Sequence, residues 1–428
     1  MTATDIHQDI DAVFRIEQAK LIAGLARMVR DVGLAEELAQ DSLVTALEQW
    51  PKSGIPDKPG AWLMATAKHR AIDRLRRRKL IDKKHAQLGR EIDIEGEGAA
   101  PDLDAALDDD IGDDLLRLVF TACHPVLATE ARVALTLRLI GGLTTDEIAR
   151  AFLVAEPTVA QRIVRAKRTL TEKQVPFEVP RGAELGQRLA SVLEVIYLIF
   201  NEGYSATAGD DWMRPQLCEE ALRLGRILAG LAPGEPEVHG LVALMEIQAS
   251  RLKARTSPSG EPILLLDQNR ARWDQLLIRR GLTALTQAEA QSKKNGDGLG
   301  PYALQAAIAA CHARARTAEE TDWARIVGLY GALSEITPSP VVELNRAVAL
   351  AMLFGPAAGL EVVDALTDEP ALRAYHLLPS VRGDLLHKLG RLEEARAEFE
   401  RAASLTRNER ERNLLLARAA ACASPPIG

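Results

Sequence analysis

"LTTDEIARAFLVAEPTVAQRIVRAKRTL", residues 143–170, holds two short helical patterns joined by a tight break. Thr144 followed by Glu147 has the spacing of a capping box, in which each side chain accepts the other residue's backbone N–H. A helix therefore opens here and runs through Phe152. "LVAE" (153–156) has the length of a turn, and Pro157, whose missing N–H costs nothing at a helix start, begins the next helix. In that second helix Val159, Ile163, Ala166 and Leu170 recur at intervals of 4, 3 and 4 and form the inner stripe. Thr158, Gln161, Arg165 and Arg168 fall on the opposite face, with Arg162 and Lys167 at its edges. Two short helices with this turn, the second armed with Thr, Gln and Arg, predict a helix-turn-helix. Its second helix suits the major groove, with N-terminal side chains near base edges and arginines on phosphates.

Upstream, "KPGAWLMATAKHRAIDRLRRRK" (58–79) predicts a longer helix that starts at Pro59. Met64, Ala67, Ala71 and Leu75 form its expected buried stripe. Arg70, Arg74, Arg77 and Arg78 stand at i, i+4, i+7 and i+8 on one face beside it. Residues 68–84 contain nine basic and two acidic side chains, a local charge of +7. Like charges at this spacing repel in an isolated helix, so the arrangement costs stability unless a polyanion compensates.

The rest of the sequence limits how such a patch can work. Net charge over 428 residues is −7, so the whole molecule repels nucleic acid and any grip must be local. Apolar residues make up 47% and aromatics only 4%, which favours several helical cores over strands. The four cysteines, Cys123, Cys218, Cys311 and Cys422, show no CxxC spacing, so neither a zinc site nor a disulfide framework is expected. No cofactor or metal is expected. A polar, acidic start and the absence of a long apolar run predict a cytoplasmic protein.

Nearly every segment reads at helical period, and an all-α chain is expected. Residues 1–90 form a first helical domain, and residues 113–176 form the domain with the helix-turn-helix. Between them, residues 91–112 read as an acidic flexible linker, because residues 91–114 hold 11 acidic and no basic side chains. "QVPFEVPRG" (174–182) marks the next boundary, and a helical extension fills 185–428. Within it Gly355 and Gly390 each occupy a helix–helix turn, 35 residues apart, close to the period of tetratricopeptide repeats.

The order "VGLAEELAQDSLVTALEQWP", "KPGAWLMATAKHRAIDRLRRRK", an acidic linker and "LRLIGGLTTDEIARAFLVAEPTVAQRIVRAKRTL" resembles bacterial RNA polymerase sigma factors. The resemblance is to the extracytoplasmic-function (ECF) subfamily of the sigma-70 family and covers about residues 8–175. The remainder is similar to the subgroup with a long C-terminal extension of tetratricopeptide-like repeats, through "YLIFNEGYSA", "LLLDQNRARWD" and "SPVVELNRAVALA". The resemblance implies region 2 at 1–90 and region 4 at 113–176. It places Glu36, Glu37, Gln40 and Asp41 against the clamp helices of core RNA polymerase. Trp62, Lys68, His69, Arg70, Arg74 and Arg77 would melt and hold the −10 strand. Thr158, Gln161, Arg162, Arg165 and Arg168 would read the −35 element. Leu153 and Ala160 depart from the glycine and lysine common at those positions. Expected partners are core RNA polymerase, promoter DNA and a possible protein on the extension.

Two readings compete. One is a helix-turn-helix regulator with a helical sensor domain that never joins RNA polymerase. The other, an enzyme in the extension, would need a convergent titratable cluster. Cys123–His124 and Cys311–His312 do not supply one, since adjacent helical residues point about 100° apart. Trp273 and Trp323 read as packing aromatics, and Asn201, Glu202 and Tyr204 form a polar cluster after a very apolar helix that reads either as a helix end satisfied by side chains or as a docking surface for the sigma domains.

Overall fold

A computed structural model describes residues 3–87, 111–152, 154–206, 208–209 and 212–423. Among these residues the named elements are helices apart from two two-residue strands, and the chain divides into units of residues 1–195 and 196–428. No described helix is long and apolar enough to cross a membrane.

The first unit begins with three helices, α1 (Ala3–Val29), α2 (Val32–Ser53) and α3 (Pro59–Gln87), each packed on the other two. Asp31 caps α2 by accepting the Leu34 N–H at 2.8 Å, as expected of a carboxylate at a helix start. Trp50 is fully buried and meets Trp62 edge to face at 5.2 Å, which fixes α2 against α3. The stripe on α3 turns slightly from the expected one. Leu63, Ala67 and Ala71 are buried, whereas Met64 and Leu75 are half-buried at its margins.

Next come α4 (Ile111–Ala122), α5 (Thr129–Leu139), α6 (Thr145–Phe152) and α7 (Glu156–Glu172). Helix α4 packs on α1, so both halves of the first unit share one body. The expected capping box is present: Thr144 N–H reaches Glu147 at 2.8 Å and Glu147 N–H reaches Thr144 Oγ1 at 3.1 Å. Pro157 stands one place inside α7, because Glu156 supplies the first residue. Val159, Ile163, Ala166 and Leu170 are all buried as the spacing requires. Leu153 and residues 88–110, most of the expected linker, lie outside the described residues.

Helix α8 (Ala183–Tyr204) spans the division between the units. The second unit continues through α9 (Pro215–Leu231), α10 (Pro236–Ala249), α11 (Gln275–Asn295), α12 (Pro301–Arg314) and α13 (Trp323–Ile336). It ends with α14 (Pro340–Phe354), α15 (Pro356–Ala365), α16 (Leu377–Lys388), α17 (Leu392–Leu405) and α18 (Glu409–Ala423). From α12 onward each helix packs on the next. Gly355 (φ +97°) and Gly390 (φ +75°) turn the chain between successive helices, a conformation that disfavours any side chain. One feature has no sequence pattern to announce it. Strand β1 (Ala208–Gly209) pairs in parallel with β2 (Arg407–Asn408), and Asn408 Nδ2 donates to Ala206 O at 3.2 Å. The array thus bends back until its last hairpin touches the segment that follows α8.

The crossing of α10 over α12 is unusually tight. A Cβ on Gly240 would stand 2.6 Å from the Ala303 backbone nitrogen. Gly240→Ala is therefore expected to destabilise the second unit by about 1–3 kcal/mol, measured by denaturant unfolding, despite the higher helix propensity of alanine. Unchanged stability would mean that the two helices separate without cost.

Candidate nucleic-acid interface

The basic face of α3 meets the acidic face of α2. Arg70 lies 3.4 Å from Asp41 and donates to Thr45 Oγ1 at 2.8 Å, and Arg74 lies 3.2 Å from Glu37. All four charged groups are more than two-fifths exposed. Exposed pairs of this kind contribute about 0–1 kcal/mol each, so a polyanion or a protein surface exchanges for them easily. His69 and Arg77 are exposed, Lys68 is half-buried, and Trp62 is committed to Trp50 by its ring.

On α7, Thr158, Gln161, Arg165 and Arg168 are exposed and Arg162 is half-buried, directly above the buried stripe that seats the helix. Arg168 is tied to Glu172 at 2.6 Å, one turn later. Arg165 has no ion-pair partner among the described residues. Three donors of the residue types used for base edges and phosphates therefore project from one rigid face.

Glu36 occupies a different environment from its neighbours Glu37 and Asp41. It is only 3% exposed and faces the helix-turn-helix rather than solvent. Arg138 Nε donates to its Oε1 at 2.7 Å, Gln40 donates to the same oxygen at 3.1 Å, and Lys167 of α7 pairs with Oε2. Around this buried pair, Thr171 Oγ1 donates to the cap residue Asp31 at 3.1 Å, and Arg15 holds Glu147 through two contacts of 2.6 and 2.7 Å. Burial alone would raise the Glu147 carboxyl, but the Thr144 N–H and the Arg15 guanidinium outweigh it and hold the group below the usual range. A groove of roughly 630 Å³ runs between α2, α3 and α7, with Glu37, Arg74, Arg77, Val164 and Lys167 among its walls. Of the expected contacts, Glu37 for polymerase and Arg74 and Arg77 for the −10 strand line this groove, while α7 contributes Val164 and Lys167 rather than its −35 residues.

The sequence reading missed the residues that make this closure: Arg15, Arg138 and, as a partner of Glu36, Lys167. It also missed the anchoring of α8. Arg188 donates to Phe120 O at 2.9 Å, and Ser191 Oγ donates to Cys123 O at 2.6 Å. Arg132 reaches Glu194 at 3.0 Å and also contacts Ser191. The first half of α8 is therefore stitched to α4 and α5 as part of the helix-turn-helix body. Only the regular spacing of Arg188, Ser191 and Glu194 along one helical face hinted at it.

Cysteine chemistry finds no support here. Burial pushes the Cys123 thiol up to about 11, while burial and the nearby Arg188 cation push the His124 imidazole down to about 4. A thiol so far from ionisation is a packing group. No cluster of three or more His, Cys, Asp or Glu that could hold a metal occurs among the described residues.

Comparison with known proteins agrees with this geometry. Residues 13–81 match Sigma-70 region 2, residues 117–170 match Sigma-70 region 4, and residues 188–289 match a family of unknown function, DUF6596. An uncharacterised protein of Rhizobium meliloti (strain 1021) is 41% identical over 403 residues, 94% of this chain and 93% of the relative. The ECF RNA polymerase sigma factor SigK of Mycobacterium ulcerans (strain Agy99) is 30% identical over 169 residues, 38% of this chain and 84% of the relative. The probable ECF RNA polymerase sigma factor SigI of Mycobacterium tuberculosis (strain CDC 1551 / Oshkosh) is 27% identical over 173 residues, 40% of this chain and 58% of the relative. No solved structure matches. With both sigma regions in order and SigK matched over most of its length, the chain belongs to the ECF RNA polymerase sigma factors, whose partners are core RNA polymerase and promoter DNA.

Proposed function

We propose that the chain directs core RNA polymerase to its promoters by two grips that the closed form keeps folded against each other. The acidic face of α2, with Glu36, Glu37, Gln40 and Asp41, docks on core polymerase. Helix α3 melts and holds the −10 strand through Trp62, Lys68, His69, Arg70, Arg74 and Arg77. Helix α7 reads the −35 element through Thr158, Gln161, Arg162, Arg165 and Arg168. The observation that carries this reading is the exposed Thr158–Gln161–Arg165 face on a helix whose opposite side is fully seated. The sensor-only regulator is not favoured, because residues 13–81 match region 2 as well as the helix-turn-helix matching region 4.

Opening follows from scale. Elements about 25 base pairs apart are separated by roughly 85 Å along B-form DNA at 3.4 Å per pair. Helices α3 and α7, which wall one groove, cannot reach both, so the Glu36 contacts must part before promoter binding. The extension acts in cis on this step, and as a helical array it also offers a surface for a protein partner. The protein works in the cytoplasm, where its polymerase is.

Truncation tests the cis role. Because Arg188, Ser191 and Glu194 belong to the helix-turn-helix body, the cut is made after Val195. Promoter-specific transcription by core polymerase is expected to change at least several-fold against the full chain, rising if the extension is a brake and falling if it is an activator. Equal activity of both proteins contradicts a cis role.

A further inference from the structure

The second unit holds two buried guanidinium groups that have no carboxylate partner among the described residues. Arg251 is 8% exposed and Arg255 is 7% exposed, both in the irregular stretch between α10 and α11. Arg270, from the same stretch, approaches the Trp273 ring at 5.0 Å. Among the described residues none of these three arginines has a carboxylate within ion-pair distance.

They differ in how their donors are used. Arg270 is a structural clamp: it donates to His312 O at 2.8 Å, Ala315 O at 2.9 Å and Thr321 Oγ1 at 3.1 Å. Arg255 stacks on the Tyr204 ring at 3.6 Å and bonds the Tyr204 carbonyl. The Arg251 side chain makes no hydrogen bond among the described residues, and its buried Nε is without a partner. Its guanidinium lies 5.8 Å from the Tyr204 ring and 5.9 Å from the Trp273 ring.

Magnitudes decide what this means. A cation over a ring near 6 Å gains about 0.5–2 kcal/mol. Taking a guanidinium out of water costs several kcal/mol, and a second buried cation adds repulsion. Ring contacts alone do not balance Arg251. Ordered water would supply acceptors but no countercharge.

Other buried polar atoms of this unit are orphaned among the described residues too. Gln268 Oε1, Trp273 Nε1 and His312 Nδ1 are buried without partners, and so is Trp212 Nε1 beside Arg255. The protein has five tyrosines, Tyr197, Tyr204, Tyr302, Tyr330 and Tyr375, all in this unit and all half-buried. Tyr197 meets Tyr302 edge to face at 5.4 Å. Burial pushes the Tyr330 phenol up to about 12, with Tyr197 adding to the shift and Arg251 opposing it. Burial, then Arg251 and Arg270, push the His312 imidazole down to about 4.

We propose that Arg251 and Arg255, framed by Tyr204 and Trp273, form a binding site for a small molecule bearing a phosphate or carboxylate group. The oxyanion supplies the missing countercharge and accepts from Arg251 Nε and the free donors of Arg255. The tyrosines flank the remainder of the ligand. This goes beyond the sigma-factor reading and does not depend on it, since the site lies wholly in the second unit and its occupancy is measured without polymerase.

The test is calorimetric titration of the full chain with sodium pyrophosphate in one arm and sodium citrate in the other, both against sodium chloride of equal ionic strength. Saturable binding is expected in at least one arm, and the responding arm identifies phosphate or carboxylate as the recognised group. R251Q is expected to weaken it at least tenfold while melting no lower than the parent, because it removes an uncompensated buried charge. R251K, which keeps the charge but loses the planar fork, is expected to weaken binding several-fold and gives a second measure should R251Q not fold. Absence of saturable binding in both arms, or equal affinity in the parent and in either folded variant, overturns the proposal.

Discussion

Replacing Arg165 by alanine is expected to lower transcription from a promoter that depends on its −35 element by about 5- to 100-fold, the equivalent of about 1–3 kcal/mol for a lost nucleic-acid contact. Arg165 is exposed on the same face as Thr158 and Gln161, and no carboxylate among the described residues pairs with it, so the change removes a donor without disturbing the buried stripe. The defect should persist on a template already melted at −10, because duplex recognition at −35 is still required there. The double replacement R70A/R74A should behave in the opposite way. Its defect should shrink on the premelted template, since those arginines lie on the helix proposed to open the strand and leave only exposed pairs with Asp41 and Glu37 behind. Rescue of both variants by premelting would abolish the proposed division of labour between α3 and α7.

Replacing Arg138 by methionine is expected to open the first unit. Glu36 is almost completely buried between Arg138 and Lys167, and removing one partner of a buried ion pair commonly costs about 3–5 kcal/mol. Even half of that shifts a closed–open equilibrium more than fivefold, so tighter binding to core polymerase and a larger radius of gyration should appear together. Arg138 also donates to Leu143 O at 3.2 Å, so the stability of the helix-turn-helix itself has to be followed in parallel. Wild-type dimensions and wild-type polymerase affinity in a stably folded R138M would show that the Glu36 contacts do not hold the grips together.

What the sequence made legible was local. The capping box at Thr144 and Glu147, the stripe under α7 and the start of α3 at Pro59 all follow from spacings of three or four residues, within the reach of a single helix turn. Small displacements arose where neighbours compete. Trp62 turns toward Trp50, and Leu63 takes the core position that Met64 was expected to fill. What escaped were pairings of distant residues. Glu36 meets Arg138 across 102 positions, and Arg188 meets Phe120 across 68, with no periodicity to connect them. The arginines at 251, 255 and 270 look like ordinary charges in a polar stretch, and only folding puts them beside aromatic rings, with no ion-pair partner among the described residues. Trp273, expected as a packing aromatic, is indeed buried, yet it packs on guanidinium groups as well as on apolar ones. The pairing of β1 with β2 joins residues about 200 apart through two positions each, too short for any strand pattern.

The most direct test of the account is transcription by purified core polymerase on duplex promoter templates, with the full chain as the only added factor. The account predicts that the protein copurifies with core polymerase and confers specific initiation that is lost when the −10 or −35 element is scrambled. A chain that binds duplex promoter alone, ignores core polymerase and confers no initiation would contradict it.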